Sequence, residues 1–121
     1  ELPLDMFWVA KLAAMQVADC GECMQLNIRM AKEAGIAKDT IAAVIAGGDG
    51  LAPPLKEIYS YAHAVAQGGV IEQTLQQQIQ QRLNQAQLLE LSLCIATAAV
   101  FPTIKRTLGY AQSCELLTLA I

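Results

Sequence analysis

Apolar side chains recur every three or four residues along nearly the whole chain, and no strand-like alternation of any length appears. That period is the helical one. The segments that carry it are rich in Ala, Leu, Gln and Glu, all good helix formers. The chain is therefore predicted to be all-α. Glycine and proline divide it cleanly. A first helix is expected from Asp5 to Val17 and a second from Asp19 to Gly35. A third opens at Lys38 or Asp39 and is closed by Gly47, Gly48 and Gly50. Pro53 and Pro54 suit the first turn of a fourth, which Gly68-Gly69 stops. A fifth runs from about Glu72 to Leu83, and a long sixth starts near Gln85 and bends near Pro102. No linker or internal repeat interrupts the series. The reading is one domain of about six helices over residues 1–121.

Composition narrows the function classes. The 121 residues suffice for a real core. They are 55% hydrophobic but only 5% aromatic, so Ala, Leu, Ile and Val must fill that core. Eight basic against eleven acidic side chains give a net charge of −3, which argues against a nucleic-acid partner. The charge-free run from Leu91 to Ile104 is interrupted by Pro102 and falls short of the roughly 20 residues a span needs, so no membrane span is expected. Eight glutamines crowd residues 73–87, yet Ile71, Leu75, Ile79 and Leu83 are spaced by four. That narrow stripe suits a peripheral helix covering a core or meeting a neighbouring subunit. The four cysteines, at 20, 23, 94 and 114, lie in a chain too long and too rich in core residues for a disulfide scaffold. An intracellular, cytoplasmic protein is expected.

Chemistry concentrates at Cys20-Gly21-Glu22-Cys23. Two thiols at this spacing near a helix start can close a small disulfide ring and reopen it. A free thiol is little ionised at neutral pH, and the positive end of a helix favours the thiolate. Asp19 is a natural N-cap, with Glu22 three residues later in the N3 place of a capping box, so the helix is expected to start at Cys20. The two carboxylates oppose thiol ionisation while the helix end favours it. At about 100° per residue, Cys20, Cys23 and Asn27 share the apolar side with Met24, Ile28 and Ala31. Glu22 falls on the opposite side with Gln25, Arg29 and Lys32, which reads as a cap facing solvent rather than a catalytic group. Asn27 is a polar group on the buried side and needs a hydrogen-bond partner there.

A zinc site needs two more ligands. Cys94 lies in the apolar run Leu91–Ala96, where a thiol behaves as a small hydrophobe, and Cys114 follows alone. No metal is expected.

The order of motifs resembles the alkyl hydroperoxidase D-like, carboxymuconolactone decarboxylase-like family. It comprises an apolar helix, a CxxC opening the next helix, and Ala34-Gly35 closing it. Lys38-Asp39-Thr40-Ile41-Ala42-Ala43-Val44 then follows, with Tyr61-Ala62 in the fourth helix and a long apolar helix ending Leu108-Gly109. The likeness covers about Phe7 to Gly109. It implies an all-α fold that assembles into dimers, trimers or hexamers. Redox-active members reduce peroxides through the CxxC disulfide, and a dithiol or lipoyl partner restores the thiols. Decarboxylase members lack the CxxC, so its presence favours the redox branch. The resemblance implies Cys23 as attacking thiolate and Cys20 as resolving partner, without metal, flavin or haem.

Two positions depart from that pattern. Redox members carry a histidine four residues after the second cysteine and a glutamate twelve before the first; this chain has Asn27 and Trp8. Asparagine can orient a thiol but exchanges no proton near neutral pH, and tryptophan offers only an N–H. His63, the only histidine, follows Tyr59 and Tyr61 ahead of a small apolar stretch and reads as structural or exposed. Lys105 and Arg106 read as a solvated pair. Two expectations follow. One is a thiol–disulfide redox protein using Cys20 and Cys23, oriented by Asn27, with weak peroxidase activity. The other is a non-catalytic oligomeric or ligand-binding scaffold whose CxxC is a relic.

Overall fold

A computed structural model describes residues 1–18 and 21–109 of the chain, and these are helical without strands. In order they form α1 (Leu4–Ala18), α2 (Glu22–Glu33), α3 (Lys38–Ile45), α4 (Pro53–Gln67), α5 (Gln73–Arg82), α6 (Gln85–Ala98) and α7 (Val100–Thr107).

Helix α1 is the axis of the fold. Trp8, Val9, Ala10, Leu12, Ala13, Ala14 and Met15 are all buried, so no single stripe faces inward. A helix apolar all round must be covered all round, and α2, α3, α4 and α6 do so. They contribute Met24, Ile28 and Ala31, Ile41 and Val44, Ile58 and Ala62, and Leu91, Cys94, Ile95 and Ala98 to one continuous core. Burying a side chain of Leu or Ile size stabilises by about 1.5–3 kcal/mol, so this ring of aliphatics is the main support of the fold. The glutamine-rich helix α5 lies on α4 through Ile79, with Leu83 just beyond its end. Arg82 fastens it, its guanidinium 2.6 Å from Glu57 Oε2.

Local chemistry sets the boundaries. Pro53 and Pro54 occupy the first positions of α4, and Gly68 ends it at φ 79°. Asn84 and Gln87 form a reciprocal capping box at the start of α6. Gly48 has a different reason to be glycine. Its φ is +88°, and a Cβ there would lie 2.5 Å from Cδ1 of Tyr59. The Tyr59 hydroxyl donates to Gln16 Oε1 at 3.0 Å, and Gln16 Nε2 donates to the Val44 carbonyl at 3.0 Å. One polar tie thus joins α1, α3 and α4.

Three expectations need correction. First, the last helix is not one bent rod but is divided at Ala99 into α6 and α7, while the all-α fold of about six helices stands among the described residues. Pro102 cannot donate to the carbonyl four residues back, and its ring crowds that group. The break therefore falls one turn before the proline, and Thr103 N–H bonds to Ala99 O at 3.0 Å. Second, α2 starts at Glu22 with Gly21 as its N-cap. Glu22 is thus the first helical residue, and the expected cap Asp19 lies outside the described residues. Third, the helical run Gln85–Thr107 is long and apolar enough, by length and composition, to cross a membrane, at a mean hydropathy of 1.6. The charge-free count stopped at Ile104, whereas the helix tolerates Glu90 inside and Lys105 and Arg106 near its end.

Candidate functional site

The first turn of α2 places Cys23 one residue after Glu22, against the core but not sealed by it. Ile28 and Ala31, on the same helix, are fully buried and fix its rotation about its axis. At that end of a helix the backbone N–H groups point outward and favour an anion. Cys23 is a free, half-buried thiol.

The nearest charge comes from the far end of the sequence. Lys105 Nζ, on α7, stands 3.7 Å from Cys23 Sγ, across 82 residues of chain. The same ammonium lies 3.6 Å from Glu22 Oε2. Its side chain is 26% exposed, while that of Glu22 is 81% exposed. The lysine is therefore folded back onto the N-terminus of α2 rather than extended into solvent. The sequence reading of Lys105 as part of a solvated pair is corrected here. No local signal marks the contact, which arises only where the Lys105 side chain on α7 reaches the first residues of α2.

The other expected site residues are placed as follows. Asn27 Nδ2 donates to the Cys23 carbonyl oxygen at 2.8 Å, so the bond it makes is to the main chain of Cys23 and not to its sulfur. Glu22 is exposed, as its helical angle indicated, but it has the lysine as partner. Cys20 and Cys114 lie outside the described residues. Trp8 is buried beside Phe7, ring centroids 5.3 Å apart in an edge-to-face pair, as a core residue. His63 stacks on Tyr59 at 5.7 Å, on α4.

Cys94 makes the contrast with Cys23. It is 2% exposed, and its Sγ donates to the Phe7 carbonyl at 3.3 Å. Burial pushes its thiol up to about 11, only partly opposed by the Lys11 charge. Such a thiol stays protonated and unreactive at neutral pH. Among the described residues, no group of three or more His, Cys, Asp or Glu side chains is arranged to hold a metal ion.

A cavity of about 450 Å³ opens between α1, α4, α6 and α7. Val17, Ala18, Tyr61, Ile95, Ala99 and Arg106 are among its lining residues. Val17 and Ala18 run directly into the cysteine motif, and Arg106 adjoins Lys105.

No curated protein and no solved structure matches the chain. Over residues 1–49, which carry α1, α2, α3 and the Cys20–Cys23 motif, the chain matches the carboxymuconolactone decarboxylase family, the family its sequence resembles.

Proposed function

We propose that the chain is a thiol–disulfide redox protein with weak thiol-dependent peroxidase activity, in which Cys23 attacks and Cys20 resolves. The Cys23 thiolate attacks the peroxide O–O bond, giving a sulfenic acid and an alkoxide that takes up a proton to leave as alcohol. The Cys20 thiol displaces water from the sulfenic acid and closes the disulfide. A dithiol reductant, of small-molecule or lipoyl type, is oxidised in returning both thiols, which suits a reducing compartment such as the cytoplasm. The observation that carries this reading is the Lys105 ammonium 3.7 Å from Cys23 Sγ at the start of α2, because a positive charge beside a thiol favours the nucleophilic thiolate. The cavity lined by Val17 and Ala18, which precede the motif in sequence, together with Ile95 and Ala99, suits the body of an organic hydroperoxide.

A second reading, a non-catalytic oligomeric or ligand-binding scaffold, has its own support. Trp8 serves the core and Asn27 holds main chain, so neither relay position supplies a proton-transfer group. Such groups contribute about 10²–10⁴ in rate. In both readings the chain forms a homo-oligomer, as the family resemblance implies. Leu89, Leu93, Val100, Phe101, Ile104 and Leu108 leave an exposed apolar face along α6 and α7 that supports contact with a second copy.

Peroxide consumption with dithiothreitol as reductant separates the two. Turnover by the wild type that disappears in Cys23→Ser, with reversible loss of two titratable thiols under mild oxidant, upholds the redox reading. Equal consumption by both proteins, with four thiols retained, leaves the scaffold.

A further inference from the structure

We infer that Lys105 acts on Cys23 as a fixed positive charge that holds the thiolate, and that Glu22 restrains it by competing for the same ammonium. This rests on the thiol-redox reading above and assigns the site a residue from the opposite end of the chain.

Three observations carry the inference. Lys105 is the one cation that the structure brings within hydrogen-bonding reach of a cysteine sulfur among the described contacts. Its side chain is half as exposed as that of Lys56, which sits 3.7 Å from a carboxylate that is 96% exposed. Partial desolvation makes a charge pair stronger than its surface counterpart. Finally, neither contact of Lys105 is a tight one, at 3.7 Å to the sulfur and 3.6 Å to the carboxylate. The ammonium is shared, and the half-buried sulfur stands where water competes least. A neutral thiol gains little from such a neighbour, while a thiolate gains a charge-assisted hydrogen bond. The charge difference between the two forms therefore selects the reactive one. Glu22 draws the same ammonium outward, so it tempers the effect through the lysine.

The test is alkylation of Cys23 by iodoacetamide in the full chain with Cys20→Ser, read peptide by peptide by mass spectrometry. This step forms the sulfur–carbon bond and releases iodide, and it needs neither peroxide nor reductant. Lys105→Met is expected to slow it about fivefold at neutral pH, the scale of a partly exposed ion pair. Lys105→Arg, which keeps the charge, is expected to stay within about twofold of Lys105. Raising salt from about 0.01 M to about 1 M contracts the screening length from about 30 Å to about 3 Å. It should slow the Lys105 protein and leave Lys105→Met unchanged. Glu22→Gln is expected to speed alkylation with Lys105 present and not with Lys105→Met. Equal rates for Lys105 and Lys105→Met overturn the inference. So does equal slowing by Met and Arg with native helix content, which marks a packing role. A gain from Glu22→Gln that persists in Lys105→Met overturns the competition for the ammonium. Failure of the redox reading shows separately, as absent peroxide turnover with the lysine dependence of alkylation intact.

Discussion

Replacing Gly48 by alanine tests whether the close approach of Tyr59 is a real constraint on the fold. Two costs arise at this position. Its φ of +88° is a conformation that alanine adopts poorly, at about 1–2 kcal/mol. The added Cβ would also sit 2.5 Å from Cδ1 and 2.8 Å from Cε1 of the Tyr59 ring, which must move. Moving it strains a packed site, at about 1–3 kcal/mol. It also loosens the hydroxyl bond to Gln16 Oε1, worth about 0.5–1.5 kcal/mol. The sum is about 2.5–6.5 kcal/mol. Gly35 is the internal control, because its φ is +96° and a Cβ there meets nothing within 4 Å. Gly35→Ala should cost only the backbone component. Urea unfolding followed by circular dichroism resolves the two, since slopes of about 1–3 kcal/mol/M turn a difference of about 1.5–4.5 kcal/mol into a midpoint shift of about 0.5 M or more. Removing the ring with Tyr59→Ala should bring the cost of Gly48→Ala down to that of Gly35→Ala. Equal costs for the two glycine substitutions in the wild-type background would refute the steric argument.

Three further outcomes are expected. The Cys94 thiol is raised by burial from 9.0 to about 11, so its contribution to stability is complete below pH 9. It is lost between pH 9 and 11, where the unfolded chain ionises and the folded one does not. The loss is on the order of 2 kcal/mol, seen as a steeper fall in urea midpoint than in Cys94→Ala over that range. Asn27→His places a proton-exchanging ring one turn after Cys23 and is expected to raise peroxide turnover with dithiothreitol by about tenfold or more; an unchanged rate means that position does not serve the thiol. Phe101, 70% exposed on α7, is expected to lie in the contact between copies. Phe101→Glu should therefore lower the mass measured by light scattering, and an unchanged mass, or binding of the wild type to lipid vesicles, removes that assignment.

Much of the fold was legible because its determinants are local. Pro53-Pro54 and Gly68 mark α4, and the four-residue stripe ending at Ile79 and Leu83 marks α5 as a cover for α4. The start of α2 was misread because Asp19 and Glu22 have the spacing of a capping pair, while the chain instead enters the helix through Gly21. A capping pattern is only one of several ways to satisfy a helix end. The break at Ala99 was legible from Pro102, because proline disturbs the turn before it rather than its own position. At the candidate site, the motif singles out Cys23. Its lysine was not legible, since a contact across 82 residues leaves no trace in local periodicity. The binding of Asn27 to main chain rather than sulfur depends on a side-chain rotation that no sequence pattern encodes.

The centrality of α1 has a consequence for biosynthesis. It leaves the ribosome before the helices that cover it, and its wall is completed only by α6, some seventy residues later. Until that point the nascent chain carries a largely apolar helix whose only polar side chains are Asp5, Lys11 and Gln16. Its yield in the cell should accordingly depend on chaperone holding during translation more than on the final equilibrium between folded and unfolded forms.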